Sequence, residues 1–450
     1  MYLLKHTSSH RSQLCNRDRC RHGPCYPKRA FRRPWFILGT YTLAGVNYKF
    51  SFERRFCASL KRKLQMEKIS VIREKILQNA AVHFPKMVQL RHEFHRFPEL
   101  SGQEKETARR ICKVLDALEI PYQKEMAGYG IVAHLVGEKC ESSRVIAFRA
   151  DMDALPIQED NHFDYHSINE KVMHACGHDF HIATLLGTLM ILHAMKSEWS
   201  GCVKAIFQPS EEEYSGGAPF MIAAGALENP KPNLIFGIHA DPNVKTGQIG
   251  FHSAAFMAST DELHFEVLGK GGHAARPHET INPVMVGAKI LVTLEAEIAK
   301  LKPENSPFVL NFGKFIGDGA TNIVPDKVSI SGTLRMFDEE KRKIILEKIQ
   351  KIAQSVANEH NATCQVDIRH GYPMLFNSPE VTAKTEELAR EFLGRENAIQ
   401  VPKRCTAEDF SYYLQQIPGT FMRVGVRNEA LGKVHNLHSA RFDADDEALL

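Results

Sequence analysis

Apolar residues recur along this chain with a helical period in some segments and a strand period in others, and the changes of period mark out its elements. From Met66 the spacing predicts amphipathic helices at about 67–79 and 83–97, the second stopped by Pro98. The Ser-Gly-Gln-Glu stretch at 101–104 has the form of a capping box for a third helix near 102–118. Apolar runs near 130–136 and 144–150 read as strands, the latter covered on both faces. A largely apolar helix follows Asp179 and extends to about 195; a strand at 202–207, a helix near 217–227 and a strand at 234–238 come next. From about 254 the pattern turns to alternation. Strands are expected at 260–268, 307–317, 326–336 and 362–370, with helices at 282–300 and 338–358. Near Asn377 the first pattern returns, with a helix at 378–395 and a strand around 420–426. The chain thus reads as an α/β domain interrupted by a two-helix, four-strand α+β insertion.

Composition changes this picture little. The 450 residues are 43% apolar and 24% charged, and no stretch approaches the ~20 apolar residues of a membrane-spanning helix. Charge is unevenly placed. Residues 1–65 hold 15 Lys and Arg against 2 Asp and Glu, a net +13 that leaves −9 on residues 66–450 out of the total of +4. The body is mildly acidic and offers no nucleic-acid surface. The basic leader, 1–65, reads as a disordered extension, with organelle targeting as the other reading. Of ten cysteines, Cys15, Cys20, Cys25 and Cys57 lie in the leader and six are scattered singly through the body. That spacing suits a reducing compartment and predicts a cytoplasmic protein.

The candidate chemistry gathers at strand ends. Asp151 and Asp153 follow the strand at 144–150, Glu211, Glu212 and Glu213 follow 202–207, and His239 and Asp241 follow 234–238. Open α/β sheets place their sites at this edge. Between the first two strands stands His174-Ala-Cys176-Gly-His178-Asp179. Gly177 loosens the turn enough to aim Cys176 and His178 at one point. Asp179 is placed to cap the following helix, whose positive end favours a thiolate at Cys176. Cys176, His178, one of the glutamates, His239 and His438 form a soft-to-borderline set of five donors, enough for two divalent ions about 3.5–4 Å apart. Adjacent Glu211 and Glu212 offer one ligand and one general base.

Eight motifs in order, FRADMDALP (148–156), HACGHD (174–179), FQPSEEE (207–213), GIHADP (237–242), GKGGHAARPH (269–278), NIVPDKVSISGTLRMFD (322–338), AEDF (407–410) and LHSARFD (437–443), resemble the N-acyl-amino-acid amidohydrolases of the metallocarboxypeptidase and aminoacylase family. The similarity is greatest to the branch of hippurate hydrolases and plant auxin-conjugate hydrolases, and it covers roughly residues 84–445. It implies a mixed-sheet, di-metal catalytic domain of the zinc-peptidase type over 66–253 and 377–450, with an inserted lid and dimerisation domain at 254–376. Cys176, His178, Glu212, His239 and His438 would hold two divalent ions, Zn, Mn, Co or Ni. Glu211 would be the base, and Asp153 would orient a metal-binding residue. His273 would reach substrate across a homodimer interface and help stabilise the oxyanion. Asn322 and Arg335 would bind the substrate amide and carboxylate.

The expected reaction is hydrolysis of an N-acyl amino acid to a carboxylic acid and a free amino acid. The rivals are a dipeptidase, carboxypeptidase or N-acetyl-diamino-acid deacetylase on the same scaffold, and a non-catalytic metal-binding protein.

Overall fold

Residues 145–148 are apolar on both faces because they form the middle of a sheet with helices packed over it. The computed structural model describes residues 49–450, with side chains from Ser70 onward; the expectations for residues 1–48 lie outside it. Met66–Leu450 forms one compact unit, separate from Met1–Gln65. The first part of that unit holds α1 (Lys49–Arg96, of which residues from 66 belong to it), α2 (Lys105–Ala117), β1 (Tyr122–Met126), β2 (Gly130–Val136), β3 (Val145–Asp151), α3 (His178–Ala194), β4 (Cys202–Gln208), α4 (Ala218–Ala223), β5 (Leu234–Lys245) and β6 (Ile249–Phe251). A middle stretch holds β7 (Ala254–Met257), β8 (Ser259–Leu268), β9 (Gly272–His273), α5 (Pro283–Ala299), β10 (Val309–Ile316), β11 (Ile323–Val324), β12 (Lys327–Met336), α6 (Glu339–Glu359) and β13 (Thr363–His370). The chain ends through β14 (Leu375–Asn377), α7 (Pro379–Leu393), β15 (Ala398–Gln400), α8 (Ser411–Leu414) and β16 (Gly419–Arg427).

The large sheet is mixed, with strand order β1-β2-β4-β3-β5-β16-β6-β15. Strands β4, β3, β5 and β16 run parallel at its centre, and antiparallel pairs flank them. Phe94, Ile111, Leu186 and Leu189 pack from the helices onto Ile131, Ala205 and Phe207. A second, wholly antiparallel sheet runs β10-β12-β8-β13. Strand β8 alternates buried and partly exposed residues, and its inner face meets Ile290, Leu294, Ile345 and Ile349 of α5 and α6. This sheet therefore has a core of its own. Among the described residues no helix is long and apolar enough to cross a membrane.

Several local expectations gave way to packing. The two helices expected around Val82 are one, running through Pro85. Burial of Met87, Leu90 and Phe94 on one side outweighs the hydrogen bond that the proline removes. The 101–104 stretch does not form a capping box. Instead the Glu99 carboxylate accepts from Glu106 N, Thr107 N and Thr107 Oγ1, while Ser101 Oγ donates to Asp153. Asp179 does not cap α3 either; Gly177 is the N-cap, at φ +87°. Strand β5 does not stop at His239 but continues through Pro242, because beyond Gly237 only β16 pairs with it and a missing donor on the open side costs nothing.

Asp179 serves a buried charge network. Its Oδ2 accepts from Arg91 Nε at 3.2 Å and His95 Nδ1 at 3.0 Å, and Arg91 also pairs with Asp443 and Asp446. Burial opposes the carboxylate, but His95 and Arg91 overcome it and hold Asp179 far below the usual carboxylate range. A depressed folded pKa stabilises above the unfolded value of about 3.9 and loses that contribution as pH falls. Asp179→Asn is expected to lower the unfolding free energy by about 3–5 kcal/mol at pH 6 by leaving Arg91 short of a partner. In urea titrations the gap between wild type and variant should narrow as pH drops below about 4.

Candidate metal centre and active site

The three parallel strands β4, β3 and β5 end at one rim, and each delivers acidic or imidazole groups there. Asp151 closes β3 with Asp153 just beyond it; Glu211 and Glu212 follow β4; His239 lies within β5. Gly177, in the left-handed region, turns the chain sharply into α3, so Cys176 and His178 face the same rim. His438 is brought in from the C-terminal segment by its backbone N–H, which donates to Ala175 O at 2.8 Å. The donor atoms of Cys176, His178 and His239 lie within 4.8 Å of one another, as do those of Cys176, Glu212 and His438, and those of His178, Glu211 and Glu212. Residues from four separate stretches thus share one cluster. Glu213 belongs to none of these groups.

Hydrogen bonds fix which atom each group presents. His178 Nδ1 donates to Asp153 Oδ1 at 3.2 Å, leaving Nε2 toward Glu212 Oε1, 3.9 Å away. His239 Nδ1 donates to Ala240 O at 2.7 Å, which turns Nε2 toward Cys176 Sγ at 3.4 Å. Asp153 Oδ2 accepts from Ser101 Oγ and from Glu212 N, tying the glutamate loop to the His178 ring. Among the described residues His178 Nε2 and Glu212 Oε1 are buried with no hydrogen-bond partner, although His438 Nε2 stands 3.3 Å from the latter. A thiol, three imidazoles and a carboxylate arranged around buried, unpaired donor atoms fit divalent metal ions of borderline softness.

The electrostatics need positive charge here. Burial, then Glu212, Glu211 and Asp151, push the Cys176 thiol well up. A divalent cation beside the sulfur would favour the thiolate. Burial, then Glu408, Glu212 and Asp409, push the Glu211 carboxyl well above its usual range. Burial opposes protonation of His178, but Asp151, Asp153 and Glu212 prevail and push it up to about 10.

A supporting layer was largely missed by sequence reasoning. His181 Nδ1 donates to Asp151 Oδ1 at 2.5 Å, and its Nε2 accepts from Ala240 N at 2.8 Å. The ring therefore braces the backbone beside His239. Its position one helical turn after His178, on the same face, was the available signal. Arg149, fully buried, donates to Gln208, Asp151 and Asp409 and lies 3.2 Å from Glu408. Tyr372 donates to the backbone oxygens of Glu211 at 2.6 Å and Glu213 at 3.2 Å. Nothing in the local sequence marked Arg149 or Tyr372.

A cavity of about 720 Å³ opens on the cluster and reaches across to the second sheet, whose Arg335 lines it. The other two residues expected at the substrate are elsewhere. His273 and Asn322 are exposed and sit together on the small β9–β11 ladder, with Ala274 N donating to Asn322 O; neither lines this cavity.

The chain belongs to Peptidase family M20/M25/M40, whose model matches residues 147–450. It is similar to protein YhaA of Bacillus subtilis (strain 168), 36% identical over 383 residues that make up 85% of this chain and 96% of that one. It is also similar to IAA-amino acid hydrolase ILR1-like 4 of Arabidopsis thaliana, 33% identical over 370 residues, covering 81% of this chain and 83% of that one. Among solved structures, the Bacillus subtilis YXEP protein, a dinuclear metal binding peptidase from the M20 family, aligns at TM-score 0.69 and 30% identity over 82% of this chain and 95% of that one.

The brace at His181 generates a prediction. His181→Leu removes the contact to Ala240 N and leaves Asp151 one donor short, so affinity for a divalent ion should fall about 10–100-fold. Competition with a chromogenic chelator reads this directly.

Proposed function

We propose that this enzyme hydrolyses N-acyl amino acids to a carboxylic acid and a free amino acid, with Glu211 as general base. The observation that carries the reading is the meeting of Cys176, His178, Glu211, Glu212, His239 and His438 in one cluster, all of them but His178 lining one cavity. The Arabidopsis relative, named an IAA-amino acid hydrolase, agrees with it.

Cys176, His178, Glu212, His239 and His438 would hold two divalent ions; Zn, Mn, Co and Ni all suit this donor set. Bound there, such ions would acidify a water molecule and polarise the amide carbonyl. Glu211 accepts a proton on its carboxylate and hands it to the leaving nitrogen, so that the amine departs neutral. Asp153 keeps His178 in one tautomer and the glutamate loop in place. Arg335, half-buried in the cavity wall, takes the free carboxylate of the substrate in its planar fork.

Residues 254–376 act as a lid and dimerisation domain, and His273 and Asn322 serve the substrate of a second subunit. Their exposure away from their own cavity supports this arrangement. The scattered free cysteines of the described body suit the cytoplasm.

Glu211→Gln should keep its metal and lose about 10²–10⁴-fold in kcat on acyl amino acids. Near wild-type turnover by the metal-loaded variant would remove Glu211 from the role of base. Cleavage of a panel of acyl-glycines, acetyl-amino acids and dipeptides separates the amidohydrolase from a dipeptidase. Mixing inactive Glu211→Gln and His273→Ala subunits should restore part of the activity if His273 acts across the dimer, and none if it acts within its own chain.

A further inference from the structure

The cavity beside the metal cluster is lined by three arginines, and only one of them is needed for a single substrate carboxylate. Arg423 lies on β16 in register with His239 on β5, so the two side chains stand next to each other at the rim. It is 2% exposed. Its guanidinium lies over the rings of Phe421 and Phe256, 5.6 and 5.8 Å from their centroids, and among the described residues its side chain hydrogen-bonds only to the sulfur of Met257. Its Nε is buried with no partner among the described residues. A guanidinium without a carboxylate in a site this dry is left with unmet donors, which is costly unless a ligand fills them.

Arg404 extends the same feature. One nitrogen pairs with Asp241, whose Oδ1 also accepts from Asn243, while Arg404 Nε is buried and unpartnered. The Arg335 side chain has no hydrogen-bond or ion-pair partner among the described residues. All three line the one cavity. The acids nearby are mostly engaged. Glu408 lies against Arg149, Asp241 against Arg404, and Glu262, which lines the same cavity, against His264.

We propose that Arg404 and Arg423 form a second anion site, continuous with Arg335, that recognises the side-chain carboxylate of an N-acyl acidic amino acid. This rests on the amide-hydrolysis reading above and deepens it by naming the substrate class. In this arrangement both carboxylates belong to the same half of the substrate, the amino acid, with Arg335 on the α-carboxylate. A substrate with one charge leaves Arg423 unpaired; an acylated aspartate or glutamate satisfies it with parallel N–H···O bonds.

The test compares kcat/KM of the full-length, metal-loaded enzyme on N-acetyl-L-glutamate and N-acetyl-L-glutamine, which differ only in the side-chain charge. The same pair is then measured on Arg404→Gln, which keeps a donor toward Asp241. The acid should be preferred at least ~10-fold by wild type, with N-acetyl-L-aspartate also favoured over N-acetyl-L-asparagine. The preference should fall to near unity in the variant. Equal or reversed rates in wild type overturn the proposal without any variant, as does a ratio that Arg404→Gln leaves unchanged. A preference for N-succinyl-L-alanine over N-acetyl-L-glutamate places the second anion on the acyl half and also overturns it. Brisk cleavage of N-benzoylglycine with neither acetylated acid turned over leaves the amidohydrolase standing and removes the anion site. Failure to cleave any acyl amino acid with any of the four metals removes both.

Discussion

One buried carboxylate, Asp153, holds the site together. It accepts from the ring of His178, the hydroxyl of Ser101 and the backbone N–H of Glu212. Those donors come from α3, the segment before α2 and the loop after β4. The carboxylate is fully buried and remains ionised because these donors, together with the charge of His178, outweigh the cost of burial. Its geometry decides which nitrogen His178 presents and where Glu212 points. The strands supply the rim, but this bond network turns a row of polar residues into a set of donors aimed at one place.

Around it the protein invests heavily in buried charge. Arg149 joins Asp151, Glu408 and Asp409 beneath the glutamate loop, and Arg91 joins Asp179, Asp443 and Asp446 beneath α3. Such networks stabilise a fold weakly against apolar alternatives, and removing one member is costly. What they give here is fixed position. Each arginine ties the C-terminal segment, which carries Asp409, His438 and Asp443, to strands and helices laid down hundreds of residues earlier. Tyr372 adds a second tie, from the chain returning out of the antiparallel sheet to the backbone of Glu211. The glutamate loop is thus coupled to the segment that links the two sheets.

Much of this was legible in the sequence. Doubly apolar runs marked the central strands, alternation marked β8, β10, β12 and β13, and the polar residues just after or within the parallel strands marked the rim. The donor cluster followed from residue type and strand polarity. Three kinds of information were not legible. Local caps were misassigned at Ser101 and Asp179, because tertiary partners outbid the short-range hydrogen bond that a sequence pattern suggests. The helix through Pro85 was split, because burial of one face is a long-range effect. The sequence carried no mark of the roles of Arg149, Arg404 and Arg423, since it does not say which arginine will be sealed from water. His181 could have been found from its spacing to His178.

The account stands on a single place where metal binds. Anomalous diffraction at the metal edge from crystals of the zinc- or manganese-loaded protein tests it most directly. Two peaks bounded by Cys176, His178, Glu212, His239 and His438 are predicted. Peaks confined to the acidic group of Glu211, Glu408 and Asp409, or none within reach of Cys176, would contradict it.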